Sequence, residues 1–346
     1  MILKPVNLTT GPVSITREVR RALSETPISH RSHAFKQLYG RTTAQLCSAF
    51  RVKDVILLSG SGTLANEAMI HEIKHQGGKG LILSNGEFGY RLIEQAHRNS
   101  LDFTTYELAW GEVFDMEEME NLFVAHSIKW ILFCHCETST GIVNDLDAIT
   151  ALSEKFGCRC FVDCMSTVGT RPLDLSKVTM ATASSGKGLA SVPGLAIVFS
   201  NIEFLLKKEV PVYFDLSHYS RKEGIPFTIS SNLVKALSVS IEQKLTDDQF
   251  DLVQHYCKQF FSILNEYAWI PFSRVDTRVY TIDGSKISKQ SFIKNMEQRK
   301  LLFSHESDYL KARNWMQLAT FGYYKEAQLK HVLTTLRNIN FSKQNS

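Results

Sequence analysis

Residues 161–200 read FVDCMSTVGTRPLDLSKVTMATASSGKGLASVPGLAIVFS. With the preceding Cys158-Arg159-Cys160, the first part is apolar and β-branched enough to be a strand buried on both faces, ending at Asp163. A turn-rich linker follows, then a strand of small residues reaching Lys187, then a third, apolar strand, GLAIVFS. An aspartate at the end of a buried strand sits at the mouth of a sheet, where open α/β folds bind ligands. Lys187 is flanked by Ser184, Ser185, Gly186 and Gly188, and glycine permits the close backbone approach that a lysine loop over a ligand requires. Each feature alone has a plain reading, the aspartate as a helix cap and the lysine as a solvated loop residue. A nucleotide P-loop is excluded at both ends of its pattern, because Ala181 and Gly188 stand where Gly and Ser or Thr are required.

Together, a lysine able to form a Schiff base and an acid able to pair a pyridine nitrogen are what pyridoxal phosphate (PLP) chemistry demands. The blocks NLTTGPVSITREV, SGSGTLANEAMI, SNGEFGYR and CHCETSTGIVNDLDAI precede VDCMSTVGTRPLDL and ASSGKGLASVPGLAIV in that order. The set resembles the class V aminotransferases of PLP fold type I. It is most similar to 2-aminoethylphosphonate–pyruvate aminotransferases, then to the alanine–glyoxylate and serine–pyruvate group. The resemblance implies an α/β fold with a large PLP-binding domain over 12–245, its mostly parallel sheet sandwiched by helices. A small α+β domain over 246–346 completes it, with residues 1–11 near the active site. The implied protein is a homodimer with active sites at the interface. It moves an amino group from a small amine or amino acid to a small 2-oxo acid. Lys187 and Asp163 are the implied catalytic pair, and both belong to the cofactor set.

Outward from the centre, the strand–loop–helix scheme recurs. DVILLSGSGTLANEAMIHEI ends its strand in small residues where a helix begins, and backbone N–H groups and the helix dipole there bind anions. Ser61, Gly62 and Thr63 are assigned to the cofactor phosphate. In GKGLILSNGEFGYRLIEQA, Phe88 lies in the loop where the family keeps an aromatic residue on the pyridine ring; a core plug at a helix start is the plain alternative. IKWILFCHCETSTGIVNDLDAI is a further buried strand with a polar loop. Thr138 there is assigned to the phenolic oxygen of PLP, and Asp145 or Asp147 can cap the next helix. Successive units of this kind imply a mostly parallel sheet, whereas GLAIVFS follows too closely for a helical crossover and should run antiparallel. By the resemblance, Gly11 offers backbone N–H to substrate, His30 or Arg31 lies near the site, and Thr228 reaches the phosphate in the partner subunit.

The chain has 346 residues, a formal net charge of +4 and seven cysteines. The charge is too small for this length to argue for nucleic acid, and no run of Lys or Arg stands out. No apolar run approaches a membrane span, neither end carries a targeting signal, and a cytoplasmic location is expected. Cys134/Cys136 and Cys158/Cys160 alternate in two strand-like runs; a zinc site is conceivable, but reduced core thiols are the stronger expectation. No metal is expected.

One family feature is missing. Relatives carry an arginine in a short C-terminal strand that pairs with the substrate carboxylate, and aligning on Gly322 puts Gln317 there. Arg313 either substitutes for it, or the substrate presents no simple α-carboxylate at that place. The departure keeps open another PLP-dependent reaction, such as a lyase, desulfurase or decarboxylase; a catalytically silent binding protein is disfavoured by the intact Lys187 and Asp163.

Overall fold

A computed structural model describes residues 5–205, 210–272, 274 and 277–338. Its main sheet has seven strands, in the order Asp54–Ser59, Leu195–Ser200, Met180–Ser184, Arg159–Asp163, Trp130–Cys134, Gly80–Ser84, Phe103–Glu107. The last five are mutually parallel, and Leu195–Ser200 runs antiparallel to both of its neighbours, as expected from its short connection. Because successive side chains of a strand point to opposite faces, the apolar runs feed two cores. Leu57, Ile131, Val162 and Ile197 pack on one face, and Ile56, Leu132, Phe161 and Val198 on the other. Helix Gly62–Gln76 contributes Ala65, Ala68 and Met69 to the second core.

Two boundaries differ from the sequence expectation. The small-residue strand ends at Ser184 rather than Lys187, because the Ser185 hydroxyl donates to Val192 O at 2.6 Å and accepts from Leu195 N at 3.2 Å. That turns the chain early and leaves Lys187 in the loop. The run through Cys134 and Cys136 splits at His135, since Asn144 Nδ2 donates to the Cys134 carbonyl at 2.7 Å. Capping follows the expected residue types: Asp145, not Asp147, accepts from Ala148 N, and Thr16 accepts from Val19 N at the start of Arg17–Leu23.

A separate core lies towards the C-terminus. Strands Val279–Asp283 and Trp315–Ala319 pair antiparallel, and Val6–Leu8 joins Leu301–Phe303 in parallel. Helices Asp247–Glu266, Lys289–Gln298 and Glu326–Asn338 enclose them. None of the seven cysteines forms a disulfide, and among the described residues no cluster of three or more His, Cys, Asp or Glu could hold a metal. Among the same residues, no helix is long and apolar enough to cross a membrane.

Lys244, the last residue of helix Ser231–Lys244, joins the two parts of the chain by donating to Gly322 O at 2.7 Å. It is 1% exposed, and burial next to Arg278 lowers its pKa from 10.5 to about 7. The unfolded chain holds that proton up to its ordinary pKa, so between about pH 7 and 10.5 it binds more protons than the folded protein. Stability should therefore rise across that window, by on the order of a few kcal/mol. Thermal unfolding at both ends of the window checks this: the rise should be largely absent in Lys244→Met.

Candidate active site

A cavity of about 530 Å³ opens at the carboxyl ends of the parallel strands. It is lined by the segment 60–63, Phe88, Asp163, Lys187 and Gly11, which sequence positions alone leave far apart. Lys187 is brought there by the tight loop between Met180–Ser184 and Leu195–Ser200. Gly188 lets that loop lie against the next turn, since a Cβ on it would stand 2.2 Å from Val168 O. Burial lowers the Lys187 pKa, opposed by the attraction of Asp163. Its Nζ donates to Ser166 Oγ at 3.4 Å and lies 5.4 Å from the Phe88 ring centre.

Asp163 ends its strand 6% exposed. Burial raises its pKa; hydrogen bonds from Met165 N and Asn66 Nδ2, each 2.8 Å, and the charge of Lys187 oppose the rise. A buried carboxyl and a buried amine facing one cavity are a functional arrangement, because each desolvated charge is sustained by the other.

Two helices begin at this cavity, and they differ. In helix Glu87–Arg98 the first N–H groups are already satisfied: Glu87 N donates to Ser139 Oγ, and Phe88 N and Gly89 N donate to Glu137 Oε2 at 3.0 and 2.9 Å. In helix Gly62–Gln76 the cap residue Ser61 makes no side-chain hydrogen bond to the helix, and Ser61 and Thr63 are exposed. That end is the one left for an anion. A Cβ on Gly62 would stand 2.4 Å from Met165 Sδ, so a larger residue there would have to push that flexible side chain aside.

Gly11 has φ +129°, and a Cβ there would stand 3.4 Å from Lys187 Cγ, so the N-terminal loop passes over the lysine. Thr138 is buried, its hydroxyl 2.5 Å from that of Ser166, forming a line of hydroxyls to the amine of Lys187. Phe88 packs between Lys187 and Arg91, whose guanidinium carbon lies 4.9 Å from the ring centre.

Thr228, Arg313, Gln317, His30 and Arg31 lie elsewhere. Thr228 is exposed and does not line the cavity. Arg313 is also exposed, stacked 3.5 Å over the Trp110 ring. Gln317 is fully buried and spends its amide on protein groups: Nε2 donates to Thr138 O, Ser139 O and Thr281 Oγ1, and Oε1 accepts from Tyr309. It is a cross-link behind the site and does not touch the cavity. His30 and Arg31 line a different surface groove with Lys36, Arg221 and Lys222.

Sequence reading missed Ser166, Asn66 and Glu137. Ser166 is three residues beyond Asp163, and that spacing could have flagged it. Glu137 is 0% exposed; besides holding Phe88 N and Gly89 N, it accepts from Ser139 N and Ser139 Oγ at 3.0 and 2.6 Å. Burial raises its pKa against these four bonds. Glu137→Ala should destabilise the fold by about 2–4 kcal/mol, as buried N–H groups at the start of the Phe88 helix lose their acceptor. Chemical unfolding measures the loss, and a variant within about 0.5 kcal/mol of wild type would contradict it.

Burial pushes the thiols up, Cys47 to about 11 and Cys160 to about 12, which makes them poor nucleophiles at neutral pH.

A family profile described as "Aminotransferase class-V" matches residues 19–213. A 2-aminoethylphosphonate–pyruvate transaminase of Pseudomonas fluorescens (strain Pf0-1) is 34% identical over 252 residues, covering 69% of this chain and 68% of that one. An L-aspartate–glyoxylate aminotransferase of Paracoccus denitrificans (strain Pd 1222) is 31% identical over 254 residues, covering 68% and 64%. Among solved structures, ureidoglycine–glyoxylate aminotransferase of Bacillus subtilis superposes with a TM-score of 0.85 at 21% identity, covering 98% of this chain and 93% of that one.

Proposed function

On the premise that this chain belongs to the class V aminotransferases, PLP-dependent transferases acting on a small amino donor and an oxo-acid acceptor, we propose that Lys187 and Asp163 carry its chemistry. The observation that carries the reading is that one cavity holds a desolvated amine, a buried carboxylate and an open helix N-terminus. That donor set fits PLP: Ser61, Gly62 and Thr63 for the phosphate, Phe88 against the ring, Thr138 near the phenolic oxygen, and Asp163 for the ring nitrogen.

Bound PLP supplies an aldehyde for the donor amine and a ring that accepts electrons. Asp163, whose charge its two donors and Lys187 support against burial, favours the protonated ring nitrogen by charge pairing. Lys187 anchors the cofactor through Nζ. Once freed, that amine takes the proton from the amine-bearing carbon of the donor and returns it on the acceptor side. Its depressed pKa leaves more of it in the basic form at neutral pH. Ser166 orients Nζ, and Gly11 closes the cavity over the lysine side chain.

The donor is 2-aminoethylphosphonate or an alanine- or serine-like amino acid, and the acceptor a small 2-oxo acid. Gly11 offers its N–H to that substrate, while Arg313 and Gln317 are reached only if their surroundings rearrange. Separate cores support domains of 12–245 and 246–346 with 1–11. Exposed Thr228 fits a homodimer in which it serves the partner's cofactor. Seven cysteines without a disulfide fit the cytoplasm.

A donor panel scored by the visible spectrum of the bound cofactor tests this. One donor should convert the cofactor to pyridoxamine phosphate without added oxo acid, and an oxo acid should restore the original band. Release of ammonia or carbon dioxide from every donor would replace transamination with elimination or decarboxylation.

A further inference from the structure

Asn66 is a polar residue on an otherwise apolar helix face, with Ala65, Ala68 and Met69 around it in the core. It is 8% exposed and lines the cavity. Its Nδ2 donates to Asp163 Oδ2 at 2.8 Å, and its Oδ1 accepts from Thr182 Oγ1 at 2.6 Å. Asp163 and Thr182 are register partners on adjacent parallel strands, so their side chains leave the sheet on one face, beneath helix Gly62–Gln76. Thr182 is 0% exposed and is carried by the strand, not by a loop.

An amide has a donor end and an acceptor end, and an ionised carboxylate only accepts. The hydroxyl of Thr182 takes the acceptor end of Asn66 and thereby points its NH₂ at Asp163. With Met165 N on the other oxygen, each Asp163 oxygen is held by one donor, which stops the carboxylate from rotating. A leucine at position 66 would suit the surrounding core, yet it would leave Asp163 and Thr182 buried without these partners.

We propose that the pair Thr182–Asn66 is the positioning device that fixes Asp163 in one orientation, as a carboxylate, towards the cofactor ring. This rests on the assignment of Asp163 to that ring. The titratable groups around Asp163 are Lys187, which supports its charge, and the thiols of Cys134 and Cys164, which burial pushes up so that they stay neutral. Its neighbour His135 is held neutral by burial, its pKa lowered to about 3.

The test compares holoenzymes by PLP dissociation constant and by visible absorption across pH. Asn66→Leu should bind PLP about tenfold more weakly and shift its band in the direction of Asp163→Asn. The difference from wild type should widen as pH falls, because without the Asn66 bond Asp163 takes up its proton earlier. Thr182→Val should show the same changes in smaller measure, and Thr182→Ser, which keeps the hydroxyl, should restore them. If Asn66→Leu does not fold, the Thr182→Val and Thr182→Ser pair decides alone. The proposal is overturned if Asn66→Leu, or in its absence Thr182→Val, keeps wild-type affinity and band at every pH while Asp163→Asn changes both. Should Asp163→Asn itself leave the band unaltered, the assignment of Asp163 to the ring falls instead.

Discussion

Lys187→Ala should lower amino transfer by roughly 10⁴-fold, the upper range for a positioned proton donor and acceptor. Two functions are lost together, because the amine that anchors the cofactor is also the base that moves the substrate proton. Among the described residues, no second lysine lines the cavity to take over. Borohydride reduction of the wild-type holoenzyme should leave the cofactor mass on the peptide containing Lys187, and the variant should carry none. Single-turnover decay of the donor then separates the proton-moving role from anchoring. Lys187→Arg should not recover it, since a guanidinium stays protonated and cannot serve as the base. Wild-type turnover in either variant would rule out the assignment. Since burial lowers the Lys187 pKa, the rise of rate with pH that accompanies its deprotonation should lie below the ordinary lysine range.

Gln317→Leu should destabilise the protein by about 3 kcal/mol, although its volume and strand preference suit the site. The cost arises from what it leaves behind. Thr138 O loses a donor at 2.6 Å, Ser139 O one at 3.0 Å, and the Tyr309 hydroxyl its acceptor at 2.9 Å, all of them buried. The two carbonyls belong to the loop carrying Thr138, Tyr309 to the short helix Asp308–Ala312 and Gln317 to the strand Trp315–Ala319 paired with Val279–Asp283, so Gln317 ties the C-terminal core to the floor of the active site. The thermal midpoint should fall by several degrees. Cofactor affinity should weaken with it, because the Thr138 hydroxyl lies 2.5 Å from Ser166, which in turn meets Lys187. An unchanged midpoint would mean that the amide is not a cross-link. Alignment suggested a substrate-binding role for this residue; the hydrogen bonds assign it a structural one.

The fold, and the meeting of Lys187 and Asp163 in one cavity, were legible because their signals are local. Apolar runs bounded by Gly and Ser turns mark parallel strands, and a strand-end aspartate followed by a lysine in a glycine loop lie within 25 residues of each other. SGSGT marked the helix start that opens at the cavity for the same reason. The groups that sequence reading missed or misassigned depend on partners far along the chain. Glu137 meets Phe88 N across 49 positions, Asn66 meets Asp163 across 97, and Gln317 meets Thr138 O across 179. A buried polar side chain takes its role from whichever donor or acceptor the packing presents, and no spacing rule encodes that.

By itself, then, the sequence determined the order of strands and helices and singled out the lysine, the acid and the helix start proposed for the phosphate, since each is read from residues adjacent in the chain. Only the tertiary structure decided that Arg313 stacks on Trp110, that Gln317 serves the fold, and that Asn66 grips Asp163. Those three outcomes follow from desolvation: once buried, a polar group must find a partner, and the folded chain alone specifies which one stands within reach.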